Sequence, residues 1–186
     1  MERLLRPPRR ANYFFALLPD PVAAASADRM ASALRGWLDL SGPTRGADKY
    51  HVTLWGWPRY WEPDDQELAL MRQVGRSIEQ AAFKLTFDEV ANFAQSAEMP
   101  ALVMTGGDAV IGADRLHDAL DRTMRASGLR GRGASYRPHL TLLYDRFRTG
   151  AFRVRPLSWR VTEFVLIRSV PKRPYEILGR WPLPDR

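Results

Sequence analysis

The sequence predicts an α+β fold, one intertwined domain with internal pseudo-symmetry between its two halves. Its 186 residues, 45% of them hydrophobic, are enough for one compact domain with a real core. Strand-like and helix-like segments alternate along the chain, and the tetrapeptide His-x-Thr-Leu occurs once in each half, at 51–54 and 139–142. We therefore expect a single domain over 1–186, with lobes at about 12–92 and 100–145. Strands within 157–183 would complete the sheets.

The first half opens with NYFFALLPD (12–20), an apolar run that predicts a buried strand. Asp20 followed by Pro21 predicts a helix start, because Asp is a good N-cap and Pro fits the first turn. A helix over much of 21–39 follows from the helical spacing of four residues, Met30, Leu34, Trp37 and Leu38.

The rest of the first half predicts a loop, the first motif strand, a second helix and another strand. The loop covers 40–49, the helix 65–82 and the strand 84–90. One side of the helix carries apolar residues at helical spacing, Leu70, Met71, Val74 and Ile78.

The second half repeats this order. PALVMTG (100–106) predicts a strand, and Leu116, Leu120 and Met124 predict a helix over 113–127 that Gly128 closes. A basic, glycine-rich loop (129–137) leads to the second motif strand. Two further strands are expected at 159–169 and 175–183.

Composition bounds the function. Lys+Arg is 28 against Asp+Glu 21, and the only lysines are Lys49, Lys84 and Lys172. Arginine matches phosphate oxygens well, so a phosphate-bearing partner fits, although a genome that prefers arginine codons explains the excess equally well. The absence of cysteine excludes disulfides and thiolate chemistry. With no secretory signal pattern and no run of roughly 20 apolar residues, we expect a cytoplasmic protein with no membrane partner.

The repeated motif carries the chemistry. Side chains two apart on a strand share a face, so His51, Thr53 and Trp55 should point one way, and His139 should share a face with Thr141. If the two strands face each other, one neutral histidine can accept a proton while one protonated histidine donates another. The threonine hydroxyls can donate to phosphate oxygens. This set suits phosphoester cleavage without a metal or other cofactor.

Other readings of these residues carry weight. One His-x-Thr-Leu alone is common in strands, and only the pair is informative. A zinc or iron site would need a third ligand, and the nearest acidic residue is Asp48, three before His51. The third histidine, His117, is expected to face solvent on its helix, paired weakly with Asp121, and has no assigned function.

Four segments together resemble a known family: YFFALLPDP, YHVTLWGW, RPHLTLLYD and LIRSVPKRPYEILGRWPL. In order and spacing they are similar to the two-histidine (2H) phosphoesterases, and most of all to the RNA 2′,3′-cyclic phosphodiesterases, also called the 2′-5′ RNA ligase family. The resemblance implies a bilobal fold, with two pseudo-symmetric lobes of sheet and helix around a central cleft and one His-x-Thr strand in each. It also implies hydrolysis of a 2′,3′-cyclic phosphate, at an RNA end or on a small cyclic nucleotide, to a 2′-phosphate. It also implies that His51 is the acid and His139 the base, and that Thr53 and Thr141 hold the phosphate.

The substrate contacts depart from the family pattern. That family often has an arginine three residues after the second motif threonine, where this chain has Tyr144, and LWGW replaces a more usual Phe-Leu-Gly. Strict alternation points Tyr144 away from the histidine face. Candidates for replacing the arginine or for stacking on a base are Arg45, Tyr50, Trp55, Arg137 and Tyr144, with Arg130, Arg132, Tyr13 and Phe14 as further possibilities.

Three functions fit these residues. The first is a metal-independent cyclic phosphodiesterase, whose partners are RNA ends or small cyclic nucleotide phosphates. The second is an RNA-end-binding protein with little catalysis. The third is cleavage of 2′-5′ linkages, or joining of RNA ends, in the same cleft. None of these requires an obligate protein partner.

Overall fold

A computed structural model describes residues 11–58, 61–93, 98–132 and 135–185 of the chain. These residues form three α-helices, eight strands and two short 3₁₀ helices, Ala47–Lys49 and Asp108–Val110. In chain order the main elements are β1 (Asn12–Leu17), α1 (Pro21–Trp37), β2 (Val52–Gly56), α2 (Asp65–Ser77), β3 (Phe83–Phe93), β4 (Ala101–Thr105), α3 (Ile111–Ala126), β5 (Leu140–Tyr144), β6 (Phe152–Val161), β7 (Glu163–Ser169) and β8 (Glu176–Pro182).

The strands form two antiparallel four-stranded sheets, which confirms the predicted α+β, two-lobed fold. The first sheet has the order β2-β1-β7-β8 and the second the order β5-β4-β3-β6. Each motif strand, β2 or β5, therefore lies at one edge of its sheet. No helix in the described residues is long and apolar enough to cross a bilayer.

The assignment of strands to sheets differs from the expected lobe boundaries at β3. The expectation grouped 12–92 as one lobe, whereas β3 pairs with β4 and β6 in the second sheet. The change of sheet thus falls between α2 and β3. The expected single strand at 159–169 is wrong, because Thr162 separates β6 of the second sheet from β7 of the first.

Local capping explains where the helices begin and end. The carboxylate of Asp20 accepts a hydrogen bond from the amide of Ala23 (2.8 Å), and Pro21 opens α1, as predicted. Gly128 follows α3 with φ of 80°, a left-handed conformation that favours glycine. Helix α2 is shorter than predicted because Ile78 is already extended, with ψ of 123°.

The face that α1 buries is made mainly of alanine. Small side chains let the helix lie close to its sheet, and the buried set is Ala23, Ala24, Ala27, Ala31 and Leu34. The predicted apolar face is wrong for Trp37, which is 72% exposed and packs edge-on against Phe152 of β6.

A buried carboxylate ties the loop before the first motif to the end of the second motif strand. Asp145, 7% exposed, accepts hydrogen bonds from the Gly42 amide (2.7 Å), the Ser41 hydroxyl (3.1 Å) and the Phe147 amide (2.9 Å). A Cβ on Gly42 would lie 2.0 Å from the carbonyl oxygen of Tyr144, so only glycine allows this approach. The junction places the following loop residues against β5.

We expect Asp145→Ala to lower the free energy of unfolding by about 2–3 kcal/mol, because it leaves the buried amide of Gly42 without its acceptor. Urea unfolding measures this, with the exposed Asp108→Ala as the matched control. Hydrogen bonds from Phe147, Gly42 and Ser41 hold the pKa of Asp145 below its ordinary value. The stabilisation should therefore be present above about pH 4 and be lost as the pH falls through the folded pKa. Equal stability of the two variants would contradict this role.

Candidate active site

Both motif histidines are held by the same backbone hydrogen bond. Nδ1 of His51 donates to the carbonyl of Lys49 (2.9 Å), and Nδ1 of His139 donates to the carbonyl of Arg137 (2.8 Å). A carbonyl oxygen can only accept, so Nδ1 carries the proton in each ring. Nε2 is then the nitrogen that can accept a proton in the neutral form or donate one in the charged form.

Each of these rings also packs against a phenylalanine. The ring centroids of Phe14 and His51 are 4.9 Å apart, and those of Phe93 and His139 are 4.7 Å apart, with tilted planes in both cases. The backbone bond fixes one edge of each imidazole and the phenylalanine supports its face. The orientation of both rings is therefore set by packing before any ligand arrives.

One cleft of about 770 Å³ brings together His51, Thr53, His139 and Thr141. Each threonine follows its histidine by two residues and lines the same space, in agreement with strand alternation. Within the described residues, neither threonine hydroxyl makes a hydrogen bond to another protein group. Both hydroxyls can therefore donate to a ligand in the cleft.

A bulge in each motif strand overturns two expectations about facing. Opposite β2, the register of β1 shifts between Phe15 and Ala16, so Trp55 pairs with Phe15 and joins the core face. The prediction that Trp55 shares the face of His51 is therefore wrong. The corresponding shift between β4 and β5 leaves both Leu142 and Leu143 buried.

The second bulge turns Tyr144 into the cleft, so the prediction from strict alternation that it points away is also wrong. Tyr144 is 43% exposed and lines the cleft. The guanidinium of Arg45 lies 5.6 Å from the centre of its ring, and the amide of Arg45 donates to the carbonyl of Leu142 (2.8 Å). Arg45, in the loop before the first motif, therefore lies with its positive charge next to the end of β5.

The other candidate binding residues are placed differently. Arg137 lines the cleft, with its guanidinium 5.2 Å above Phe93 and 3.6 Å from Glu89. Trp55 borders the cleft but is 3% exposed, and its indole N–H donates to Asp121 (3.3 Å). Tyr50 lies outside the cleft lining, buried at 2% exposure, with its hydroxyl donating to Asp28 (2.9 Å).

Of the four further candidates for substrate contacts, two line the cleft and two do not. Phe14 and Arg132 line the cleft, whereas Tyr13 and Arg130 do not. Tyr13 is buried against Glu62, to which its hydroxyl donates (3.2 Å).

Sequence reasoning missed Tyr175. Its hydroxyl donates to the carbonyl of Lys49 (3.2 Å) and its oxygen lies 3.0 Å from Nδ1 of His51. The ammonium of Lys49 lies 4.4 Å from the centre of the Tyr175 ring. The sequence does show a tyrosine at the start of the segment 175–183. Because Tyr175 lies far from His51 in sequence, no local pattern indicates the contact between them.

The expectation for His117 is wrong. Instead of facing solvent, His117 lines the cleft and donates from Nδ1 to the carbonyl of Leu54 (2.6 Å). Its ring stacks on Tyr136, with centroids 3.8 Å apart and planes 8° from parallel. Asp121 pairs instead with Arg125 (2.6 Å).

The pKa values of both motif histidines are lowered, which favours the neutral imidazoles in the free protein. Burial, helped by the positive charges of Arg45, His139 and Arg132, lowers the pKa of His51 to about 4, although the hydrogen bond to Lys49 acts in the opposite direction. Burial also lowers the pKa of His139, helped by the charge of Arg137. Both rings line the same cleft. Within the described part of the chain, no three His, Asp or Glu residues form a group that could hold a metal ion.

The chain is similar to known proteins at the level of family and fold. Residues 18–173 match the 2′-5′ RNA ligase superfamily. No curated protein sequence matches the chain significantly.

Three solved structures share its fold over nearly the whole of both chains. A phosphoesterase has 22% identity and a TM-score of 0.75, covering 94% of this chain and 99% of its own. TT0787 of Thermus thermophilus has 21% identity and a TM-score of 0.70, covering 94% and 99%. E. coli LigT complexed with 3′-AMP has 24% identity and a TM-score of 0.70, covering 95% and 100%.

We expect Arg45→Ala to raise the pKa of His51, because it removes one of the positive charges that disfavour the imidazolium. Titration of the ring signals by NMR measures the shift. Arg29→Ala, on the exposed face of α1, is the matched control and should leave His51 unchanged. A fall in the pKa of His51, or an equal shift in both variants, would contradict the placement of Arg45.

Proposed function

The chain belongs to the 2′-5′ RNA ligase superfamily of two-histidine phosphoesterases, and from this premise we propose that it is a metal-independent cyclic phosphodiesterase. Its substrate would be a 2′,3′-cyclic phosphate at an RNA end or on a small nucleotide, and its product a 2′-phosphate. The observation that carries the proposal is the pair of imidazoles, each with Nδ1 held by a carbonyl and Nε2 left for one shared cleft.

The proposed reaction is a single displacement at phosphorus. Water attacks the phosphorus and forms the new P–O bond while a neutral histidine accepts the water proton. The bond from phosphorus to the 3′ oxygen breaks, and a protonated histidine donates a proton to that oxygen. By the family resemblance, His51 is the acid and His139 the base.

Three groups in the cleft suit the charge that develops on the phosphoryl oxygens. Thr53 and Thr141 line the same cleft as the two imidazoles, and their hydroxyls would donate to the phosphoryl oxygens. We assign the cationic contact to Arg45, since its guanidinium lies against Tyr144, the position where the family often has an arginine. In this proposal the loop before the first motif supplies the charge that the second motif lacks.

The lowered pKa values of both histidines fit an anionic substrate. In the free protein both rings are neutral at pH 7, and the acid form of His51 is then scarce. A bound phosphodiester brings a negative charge next to both rings and raises their pKa values. Substrate binding would therefore supply part of the driving force that charges the acid.

Two further observations bear on the substrate. The structure of E. coli LigT with 3′-AMP shows that the related fold accommodates a nucleoside monophosphate in that protein. The name of the superfamily favours a second activity, the joining of RNA ends through 2′-5′ linkages or its reversal. The same acid and base would serve it, because the reverse reaction uses the same proton transfers.

Replacing either motif histidine by alanine should lower turnover by about 10²–10⁴-fold, because each substitution removes one proton-transfer partner. The assay uses an oligoribonucleotide ending in a 2′,3′-cyclic phosphate, in EDTA, and follows formation of the 2′-phosphate. Near-UV circular dichroism checks that the variants stay folded. Full activity of His51→Ala or His139→Ala would refute the mechanism. If wild type binds this RNA in a salt-sensitive way without turnover, an RNA-end-binding role would replace it.

Loss of one motif hydroxyl, in Thr53→Val or Thr141→Val, should lower kcat by about 10²-fold because a donor to the developing charge is lost. Thr86→Val is the matched control, since Thr86 is a half-buried threonine of β3 outside the cleft lining. Steady-state kinetics on the cyclic phosphate measures the effect. Unchanged kcat in both motif variants would remove the threonines from the proposed mechanism.

The pH dependence of kcat/KM should be bell-shaped, with its optimum below the ordinary histidine pKa of about 6.5. The acidic limb reflects protonation of the base and the alkaline limb loss of the acid proton, and burial lowers both pKa values in the free protein. The optimum of kcat should lie at higher pH, because bound phosphate raises both values. A kcat/KM that keeps rising above about pH 8 would contradict this assignment.

A further inference from the structure

The cleft continues well beyond the four motif residues. Its other end lies between β2 and α3 and is lined by five residues that we call the distal end: His117, Asp121, Arg125, Arg132 and Tyr136. The cyclic phosphate chemistry described above uses none of these side chains directly. A cleft of about 770 Å³ is large for a site that needs to enclose only a phosphate and its ribose.

The position of the distal end follows from β2. His117 is bonded to the carbonyl of Leu54, which comes three residues after His51 on an extended segment. At about 3.3 Å per residue, this places the distal end roughly 10 Å from the motif histidine. A neighbouring nucleotide of the same strand can span such a separation.

The distal end contains a flat aromatic surface. Tyr136 and His117 are stacked nearly in parallel, and the bond from His117 to Leu54 fixes the pair against β2. Both rings line the cleft. Stacked aromatic rings of this kind bind nucleobases with little dependence on which base is present.

Positive charge flanks this surface. The side chain of Arg125 is 59% exposed and reaches the cleft from α3. The neighbouring carboxylate of Asp121 already has two partners. It forms an ion pair with Arg125 and accepts a hydrogen bond from the indole N–H of Trp55. A phosphate near Arg125 would therefore meet a cation whose acidic neighbour is already satisfied.

Arg132 adds a second cation to the distal end. Its amide donates to the carbonyl of Gly56 (3.1 Å) and its Nε donates to the carbonyl of Trp57 (3.0 Å). The close fit depends on glycine, because a Cβ at Gly56 would lie 2.9 Å from Nε of Arg132. The guanidinium is thus fixed at the distal end, beside the β2 residues that follow Leu54.

We propose that the distal end binds the nucleotide that precedes the cyclic phosphate in an RNA chain, with its base on the Tyr136–His117 pair and its linking phosphate near Arg125 and Arg132. The protein would then prefer RNA ends over free cyclic mononucleotides. This inference rests on the proposed cyclic phosphodiesterase function and assigns the substrate class of that same cleft.

The test compares kcat/KM for three substrates: adenosine 2′,3′-cyclic phosphate, the dinucleotide ApA ending in a 2′,3′-cyclic phosphate, and the same dinucleotide with an abasic first residue. We expect the full dinucleotide to exceed the mononucleotide by about tenfold, because one more base is stacked. The abasic dinucleotide should fall between them, since it keeps the linking phosphate but lacks the base.

Two variants separate the contributions of phosphate and base. Arg125→Ala should lower kcat/KM for both dinucleotides by about threefold to tenfold. Its kcat/KM for the cyclic mononucleotide should stay the same as that of wild type. His117→Ala should reduce only the advantage of the full dinucleotide over the abasic one. Arg122→Ala, exposed on the same helix but outside the cleft lining, is the matched control for Arg125. Because Arg125 is a surface residue, its variant keeps the test decisive if His117→Ala does not fold.

The outcomes distinguish this inference from the function on which it rests. Equal kcat/KM for all three substrates, or an unchanged dinucleotide preference in Arg125→Ala, would overturn the distal nucleotide site and leave the cyclic phosphodiesterase function standing. No turnover of any of the three substrates by wild type would overturn both.

Discussion

The hydrogen bond from Nδ1 of each motif histidine to the carbonyl two residues before it is the constraint on which the cleft depends. It assigns the proton to Nδ1, orients the ring and leaves Nε2 for chemistry. The bond is local, within three consecutive residues, so each lobe builds it independently. Both histidines line one cleft, and the phenylalanine packed against each ring supports its orientation.

What the lobes do not share is the surroundings of the two rings. His51 is hydrogen-bonded to Tyr175, and the charges of Arg45 and Arg132 lower its pKa. The pKa of His139 is lowered instead by the charge of Arg137. The arginine beside Tyr144 comes from a loop that Asp145 ties to β5, so the electrostatics of one lobe depend on a contact made by the other. In the proposed mechanism, this asymmetry would give two similar histidines different roles in one proton-transfer cycle.

Local patterns predicted most of the fold and the four motif residues that line the cleft together. Alternation, the Asp20 and Gly128 helix ends and the repeated His-x-Thr-Leu each act within a few residues, and the structure agrees with them. The failures come from longer range. A single extra residue in each motif ladder reversed the faces of Trp55 and Tyr144, and no local pattern marks a bulge whose cause is pairing with another strand. The cleft contacts of His117 and Tyr175 likewise depend on segments far away in sequence.

The central claim is that the two Nε2 atoms flank one phosphoryl group. The most direct measurement is a crystal structure with a nucleoside 2′,3′-cyclic vanadate, which mimics the five-coordinate transition state. The account predicts vanadate between the rings, with Nε2 of His51 and Nε2 of His139 each within about 2.7–3.2 Å of a different vanadate oxygen. Vanadate bound elsewhere, or contacted by only one of the two rings, would contradict it.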